Sequence, residues 1–221
     1  MVKLIVFDFH GTLSLKSGKV NRIFSLMFEK KLQEKEEDEE KQEDEEPEEP
    51  PIHIAINDLK NILKNYKNGS WYEAMKKVKI DPELMMPTLN EIIHFIDYMK
   101  ELHPRIVFGV ASMLEEEQFM YDLLKYCFEM KGKVSPFTLK TIVSSSGLKE
   151  VDVKSESSND KWPHIKVILQ RDDLKFGIED IVIVDDNEMI VQYMAKRGFC
   201  SILASHYFTI QDWNGGCFNK F

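Results

Sequence analysis

Short unbroken apolar runs alternate with stretches of helical spacing along most of this chain. Residues 4–7 read Leu-Ile-Val-Phe and stop abruptly at Asp8. A run with no polar alternation marks a strand buried on both faces. The pattern returns at 105–111 (Arg-Ile-Val-Phe-Gly-Val-Ala), at 181–184 (Ile-Val-Ile-Val) and at 199–203, with a shorter candidate at 141–143. Leu89, Ile92, Ile93, Ile96, Met99 and Leu102 recur at helical spacing after a capping-box pair, Thr88 and Glu91, and Pro104 closes that helix. A second helix is predicted over 114–130, with Phe119, Met120, Leu123, Leu124 and Phe128 facing inward. A third runs from Trp162 to about Gln170, capped by Asn159 or Asp160 with Pro163 in its first turn. A fourth, 188–197, leads past Gly198 into the last strand. Strands alternating with helices predict an α/β fold, a Rossmann-like parallel sheet with helices on both faces.

One segment breaks the alternation. Residues 14–87 read as a mostly helical insertion, which leaves 1–13 and 88–221 as the core. Val20, Ile23, Phe24, Met27 and Phe28 form one apolar face, and Leu59, Ile62, Leu63 and Tyr66 another. Gly69 stops the second helix, and Ser70 with Glu73 starts a third around Trp71, Met75 and Val78. Between the first two lies a low-complexity segment, 34–51, closed by prolines. Its composition supports no core and predicts a mobile stretch.

Charge matters here because it is so unevenly placed. The net charge is −9, but residues 34–49 alone hold twelve acids and two lysines, so the rest of the chain stands at +1. A balanced body with no basic stripe argues against a nucleic-acid partner. The acidic stretch can act as a solvated linker or recruit a basic partner. At 221 residues and 43% hydrophobic composition the chain can bury a full core. No stretch has the length of a membrane span or the pattern of a signal peptide, so a cytoplasmic location and no membrane partner are expected. Cys127, Cys200 and Cys217 are odd in number and lack metal-ligand spacing. They read as free thiols of a reducing compartment.

The chemistry concentrates at strand ends. An Asp at the tip of a buried parallel strand stands where open α/β sheets bind their ligands. A strand-end Asp can simply cap a turn. Here a second apolar strand also ends in carboxylates, Asp185 and Asp186. A parallel sheet puts both tips on one rim, where oxygen ligands suit Mg²⁺.

Residues 4–13, Leu-Ile-Val-Phe-Asp-Phe-His-Gly-Thr-Leu, resemble motif I of the haloacid dehalogenase (HAD) superfamily, an Asp-x-Asp-x-Thr signature after an apolar strand. The order and spacing from Val107 to Leu203 look most like its magnesium-dependent acid phosphatase branch. The resemblance implies a HAD-like fold in which the insertion is a cap. It implies Asp8 as nucleophile and metal ligand, and Thr12 as a buttress of the motif I loop. Ser112 matches the motif II residue that hydrogen-bonds the phosphoryl group. Lys161 matches the motif III lysine, with Lys149 and Lys154 as alternatives in the same polar stretch. Asp185 and Asp186 match motif IV, Asp186 as the direct Mg²⁺ ligand and Asp185 in support. The backbone carbonyl of His10 supplies a further metal ligand. The implied activity is that of a Mg²⁺-dependent phosphomonoesterase working through an aspartyl-phosphate, on a phosphorylated small molecule or a phosphoprotein.

His10 departs from the motif, whose phosphatases carry a second Asp there as general acid and base. Histidine titrates near neutrality and can do such work. Three outcomes stay open: His10 replaces the acid/base, it serves only good leaving groups, or the site binds without turnover. The last is a pseudophosphatase acting as a binding or scaffold protein. His53, His94, His103, His164 and His206 read as satisfied structural or surface histidines. Trp71, Trp162 and Trp213 read as packing residues.

Overall fold

The computed structural model describes residues 2–15, 70–113, 117–150 and 157–217. The acidic segment, the first two helices of the insertion and Lys154 lie outside the described residues. The chain divides into two compact units, 1–15 with 81–221, and 16–80. Of the second unit the described part is chiefly helix α1, Trp71–Val78. Its Ser70 accepts from the Glu73 amide, as the capping pattern predicts.

The first unit is built on five parallel strands: β1 (Leu4–Phe7), β2 (Val107–Ala111), β3 (Ile142–Val143), β4 (Ile181–Asp185) and β5 (Cys200–Leu203). They lie in the order β3-β2-β1-β4-β5. The first strand made is therefore the central one, with Phe7 paired to Val110 on one side and Val184 on the other. Around the sheet run α2 (Pro82–Met85), α3 (Leu89–Leu102), α4 (Glu117–Met130), α5 (Trp162–Arg171), α6 (Glu188–Lys196) and α7 (Ile210–Gly215).

Both faces of β1 are covered, which is why its apolar run is unbroken. Leu4 and Val6 pack with Ile165 and Ile168 of α5 and with Ile190 and Met194 of α6. The alternate residue Phe7 meets Phe95 of α3, Phe137 and Phe208, each ring edge-on. Edge-to-face pairs add about 0.5–1.5 kcal/mol each beyond the buried area. The inward positions expected of α4 are all buried.

Three local expectations are corrected. Thr88 is the N-cap of α3 but its backbone is not in the extended cap conformation and its side chain makes no capping bond; the Glu91 carboxylate instead accepts from the Ile210 amide at 3.3 Å. Helix α7 was not expected; Thr209 and Asp212 form the capping box that starts it. Two of the three cysteines are not free. Cys200 and Cys217 are joined by a disulfide with Cα atoms 5.2 Å apart. Their long separation hid this, since only the return of the chain through α7 brings Cys217 back to β5. Cys127 stays a free, buried thiol, and burial pushes its pKa up, which makes it inert. Among the described residues no helix is long and apolar enough to cross a membrane.

Candidate active site

The parallel register decides which residues meet. Because Phe7, Val110 and Val184 are level, the residues just beyond them share the C-terminal rim of the sheet. The Asp8 amide donates to the Val184 carbonyl at 2.7 Å, and the Ser112 amide to Val143 at 3.0 Å. Carboxylate oxygens of Asp8, Asp185 and Asp186 all come within 4.8 Å of one another.

Lys161 reaches this cluster from the N-cap of α5. Its Nζ donates to Asp8 Oδ1 at 2.6 Å and to the Ala111 carbonyl at 2.7 Å, and lies 3.5 Å from Asp185 Oδ2. The residue is 2% exposed. Burial works against its charge, but the Asp8 and Asp185 carboxylates outweigh it and hold the ammonium pKa above its ordinary value. Neighbouring Asp160 fixes the approach: one oxygen accepts from the Trp162 amide at 3.0 Å, the other from Arg197 at 3.1 Å. Trp162 itself packs on Phe199.

Three carboxylates face one lysine, so the cluster carries excess negative charge. Burial pushes Asp185 up to about 7, with Lys161 opposing and Asp8 adding to the rise. An all-oxygen donor set that crowds like charges suits a hard divalent cation. Gly11 makes room for it. Its φ is +85°, and a Cβ there would sit 2.3 Å from Asp186 Oδ2. Gly11→Ala is expected to cost more than about 1 kcal/mol of stability and to weaken Mg²⁺ binding, read by melting temperature and metal titration.

Asp185 also predicts a stability effect. Between its ordinary 3.8 and its folded value of about 7 the folded protein holds more protons than the unfolded one. Its contribution therefore falls as pH rises through that window. His164, pushed down to about 4 from 6.5, acts in the opposite sense over an overlapping range. Comparing Asp185→Asn with wild type cancels the histidine. The metal-free variant is expected to gain melting temperature over wild type at pH 8, with the difference shrinking toward pH 5 and on adding Mg²⁺.

The motif I loop folds tightly back on itself. Gly11 N donates to Ser14 O, and Ser14 N to Phe9 O. His10 is turned into this loop: Nδ1 lies 2.8 Å from the Leu15 carbonyl and 3.2 Å from Ser14 Oγ. A carbonyl only accepts, so Nδ1 carries the proton and Nε2 is the basic nitrogen. Burial is the main influence on the ring and lowers its pKa. Thr12 is fully buried, but its Oγ1 bonds to no described residue; its backbone carbonyl does the fastening, accepting from Phe208 N at 2.9 Å. Tyr207 N likewise donates to Gly11 O, and Ala204 N to Asp185 O. The segment after β5 thus holds both carboxylate-bearing loops. Sequence reasoning missed this role entirely, since backbone bonds leave no side-chain signature.

The structure brings Asp8, Asp185, Asp186 and Lys161 together, with Ser112 at the next strand tip. His164, expected to be satisfied or on the surface, is neither. It is 1% exposed, and neither ring nitrogen hydrogen-bonds to a described residue. Burial pushes its pKa down to about 4, with the Lys161 charge acting in the same direction and the Ser112 backbone against it. A separate open cleft of about 530 Å³ lies at the opposite edge of the sheet, between Ile106–Phe108, Pro136, residues 138–141 and Asp172. It shares no residue with the carboxylate cluster.

No family model and no curated protein sequence matches the chain. Solved structures do. They are hydrolases of the HAD superfamily and proteins like them. CbbY from Rhodobacter sphaeroides, in complex with phosphate, is 15% identical over 92% of this chain and 86% of its own, with a TM-score of 0.48. A HAD-superfamily hydrolase from Ehrlichia chaffeensis is 15% identical over 97% and 96%, TM-score 0.47. A HAD family enzyme from Bacteroides thetaiotaomicron, in complex with magnesium and inorganic phosphate, is 11% identical over 93% and 96%, TM-score 0.44. At such identities the functional reading rests on the residues of the site itself.

Proposed function

We propose that this chain is a Mg²⁺-dependent phosphomonoesterase that works through an aspartyl-phosphate on Asp8. One observation carries the reading: a buried lysine joins Asp8 and Asp185 at the C-terminal rim of a parallel sheet, with Asp186 alongside. A buried charge cluster with a specific ion-pair partner, set at the ligand-binding edge of an α/β sheet, supports a functional site.

The residues divide the work as follows. Asp8, Asp185, Asp186 and the His10 carbonyl would hold Mg²⁺. The ion, when bound, screens the phosphate's charge and keeps it in line for attack. An Asp8 carboxylate oxygen attacks phosphorus, the ester P–O bond breaks, and the phosphoryl group passes to Asp8. Lys161 neutralises nucleophile and phosphate together, and Ser112 donates to a phosphoryl oxygen. Water then attacks phosphorus and the Asp8–phosphorus bond breaks, returning the carboxylate. Neutral His10, with its Nδ1 proton on Leu15, can take a proton from that water through Nε2. It has no proton to spare for the departing oxygen. The substrates that suit it are phosphomonoesters, small or on protein, whose leaving groups need little help.

The test is hydrolysis of p-nitrophenyl phosphate with Mg²⁺ and with EDTA. Turnover that vanishes with EDTA and returns with Mg²⁺ is expected. No turnover from pH 5 to 9 in a protein that still binds Mg²⁺ would replace this reading with that of a phosphate-site binding protein.

A further inference from the structure

His164 is an expensive residue where it stands. It lies in the first turn of α5, three residues after Lys161, among the buried positions Ile165, Val167 and Ile168. Helical residues three apart share a face, so His164 follows Lys161 toward the strand tips. Helix α5 packs on β2, the strand that ends just before Ser112. Both ring nitrogens are buried and neither has a partner among the described residues. A buried polar group left unpaired destabilises a fold, and an apolar side chain of similar volume would avoid that loss. Such groups call for an explanation, and a role at a functional site is one of them.

The surroundings narrow the explanation. The Ser112 main chain is near enough to the ring to favour its protonated form, but the contact falls short of full hydrogen-bond geometry. The ring is neutral at physiological pH and offers one N–H. It therefore adds no charge to a site where Lys161 already opposes three carboxylates. The ring N–H stands beside the main chain of the residue that meets the phosphoryl group in the reading above.

We propose that His164 is a positioning residue for Ser112: its ring N–H closes onto the Ser112 main-chain carbonyl when a phosphoryl group binds, fixing the motif II turn against the phosphate. This rests on the phosphatase reading and adds a residue to it. His164 touches neither substrate nor metal; it acts through Ser112.

The experiment compares wild type, His164→Leu and His164→Gln, all with Mg²⁺. The readouts are melting temperature, the inhibition constant of inorganic phosphate, and kcat and KM for p-nitrophenyl phosphate. His164→Leu is expected to melt about 2–6 °C higher, because the unpaired group is gone. Its affinity for inorganic phosphate is expected to fall about tenfold, the size of one hydrogen bond. KM should rise in step. The amide of His164→Gln should recover part of the phosphate affinity without the gain in melting temperature. A purely structural histidine predicts otherwise: unchanged phosphate affinity and KM in His164→Leu would overturn the proposal. If the leucine variant does not fold, His164→Met is judged by the same criterion. A wild type that hydrolyses ester with Mg²⁺ while the variants match it sinks the role of His164 alone. A wild type with no affinity for inorganic phosphate sinks the phosphatase reading and this proposal together.

Discussion

Replacing Asp8 by Asn is expected to lower turnover of p-nitrophenyl phosphate by at least about 10³-fold while leaving the protein folded. The amide keeps an oxygen that accepts from Lys161, and the main-chain bond from residue 8 to Val184 does not involve the side chain. What it lacks is a nucleophile. Trapping gives an independent reading: acid-quenched wild type should carry phosphate that hydroxylamine releases, as an acyl phosphate does, and Asp8→Asn should carry none. Full activity in a purified Asp8→Asn protein would remove Asp8 from the chemistry.

His10→Asp should act in the opposite direction, and selectively. With Nδ1 bound to Leu15 and burial keeping the ring neutral, His10 can assist the water step but cannot protonate a leaving oxygen. A p-nitrophenolate departs without that proton; an alkoxide does not. A protonated carboxyl at position 10 restores the missing acid. Turnover of an alkyl phosphate is therefore expected to rise by about 10²-fold or more, within the usual 10²–10⁴ range of general acid–base help. Turnover of p-nitrophenyl phosphate should change far less. Equal effects on the two esters, or a loss on both, would show that His10 already performs both proton transfers.

Strand tips were the legible part of this site. Asp8 and the Asp185-Asp186 pair stand out because each interrupts an apolar run, and a parallel sheet has one ligand-binding rim. Lys161 was harder to single out among the lysines of a polar stretch. What distinguishes it is burial against β1, β2 and β4 at once, and no local pattern encodes three distant strands. His164 was misread for the same reason: a histidine among apolar helix positions looks satisfied until its neighbours are known. The fold was read well wherever runs were long and buried. Helix α7 escaped because it buries none of its residues, although Thr209 and Asp212 did mark its start. The Cys200–Cys217 pair depends on a chain reversal that neither cysteine announces.

The strand order has a consequence for how the protein is made. The ribosome releases β1 first, yet β1 is the middle of the sheet and waits for neighbours that emerge a hundred and more residues later. Asp8 meets its lysine only after residue 161 is out, and its loop is fastened only when Tyr207 and Phe208 arrive. Nascent chains cut short before residue 181 would leave one edge of the apolar first strand unpaired and would lack Asp185 and Asp186. Synthesis through Phe208 is thus the condition for a fastened motif I loop, and the unpaired edge of β1 in shorter chains is a natural mark for chaperones.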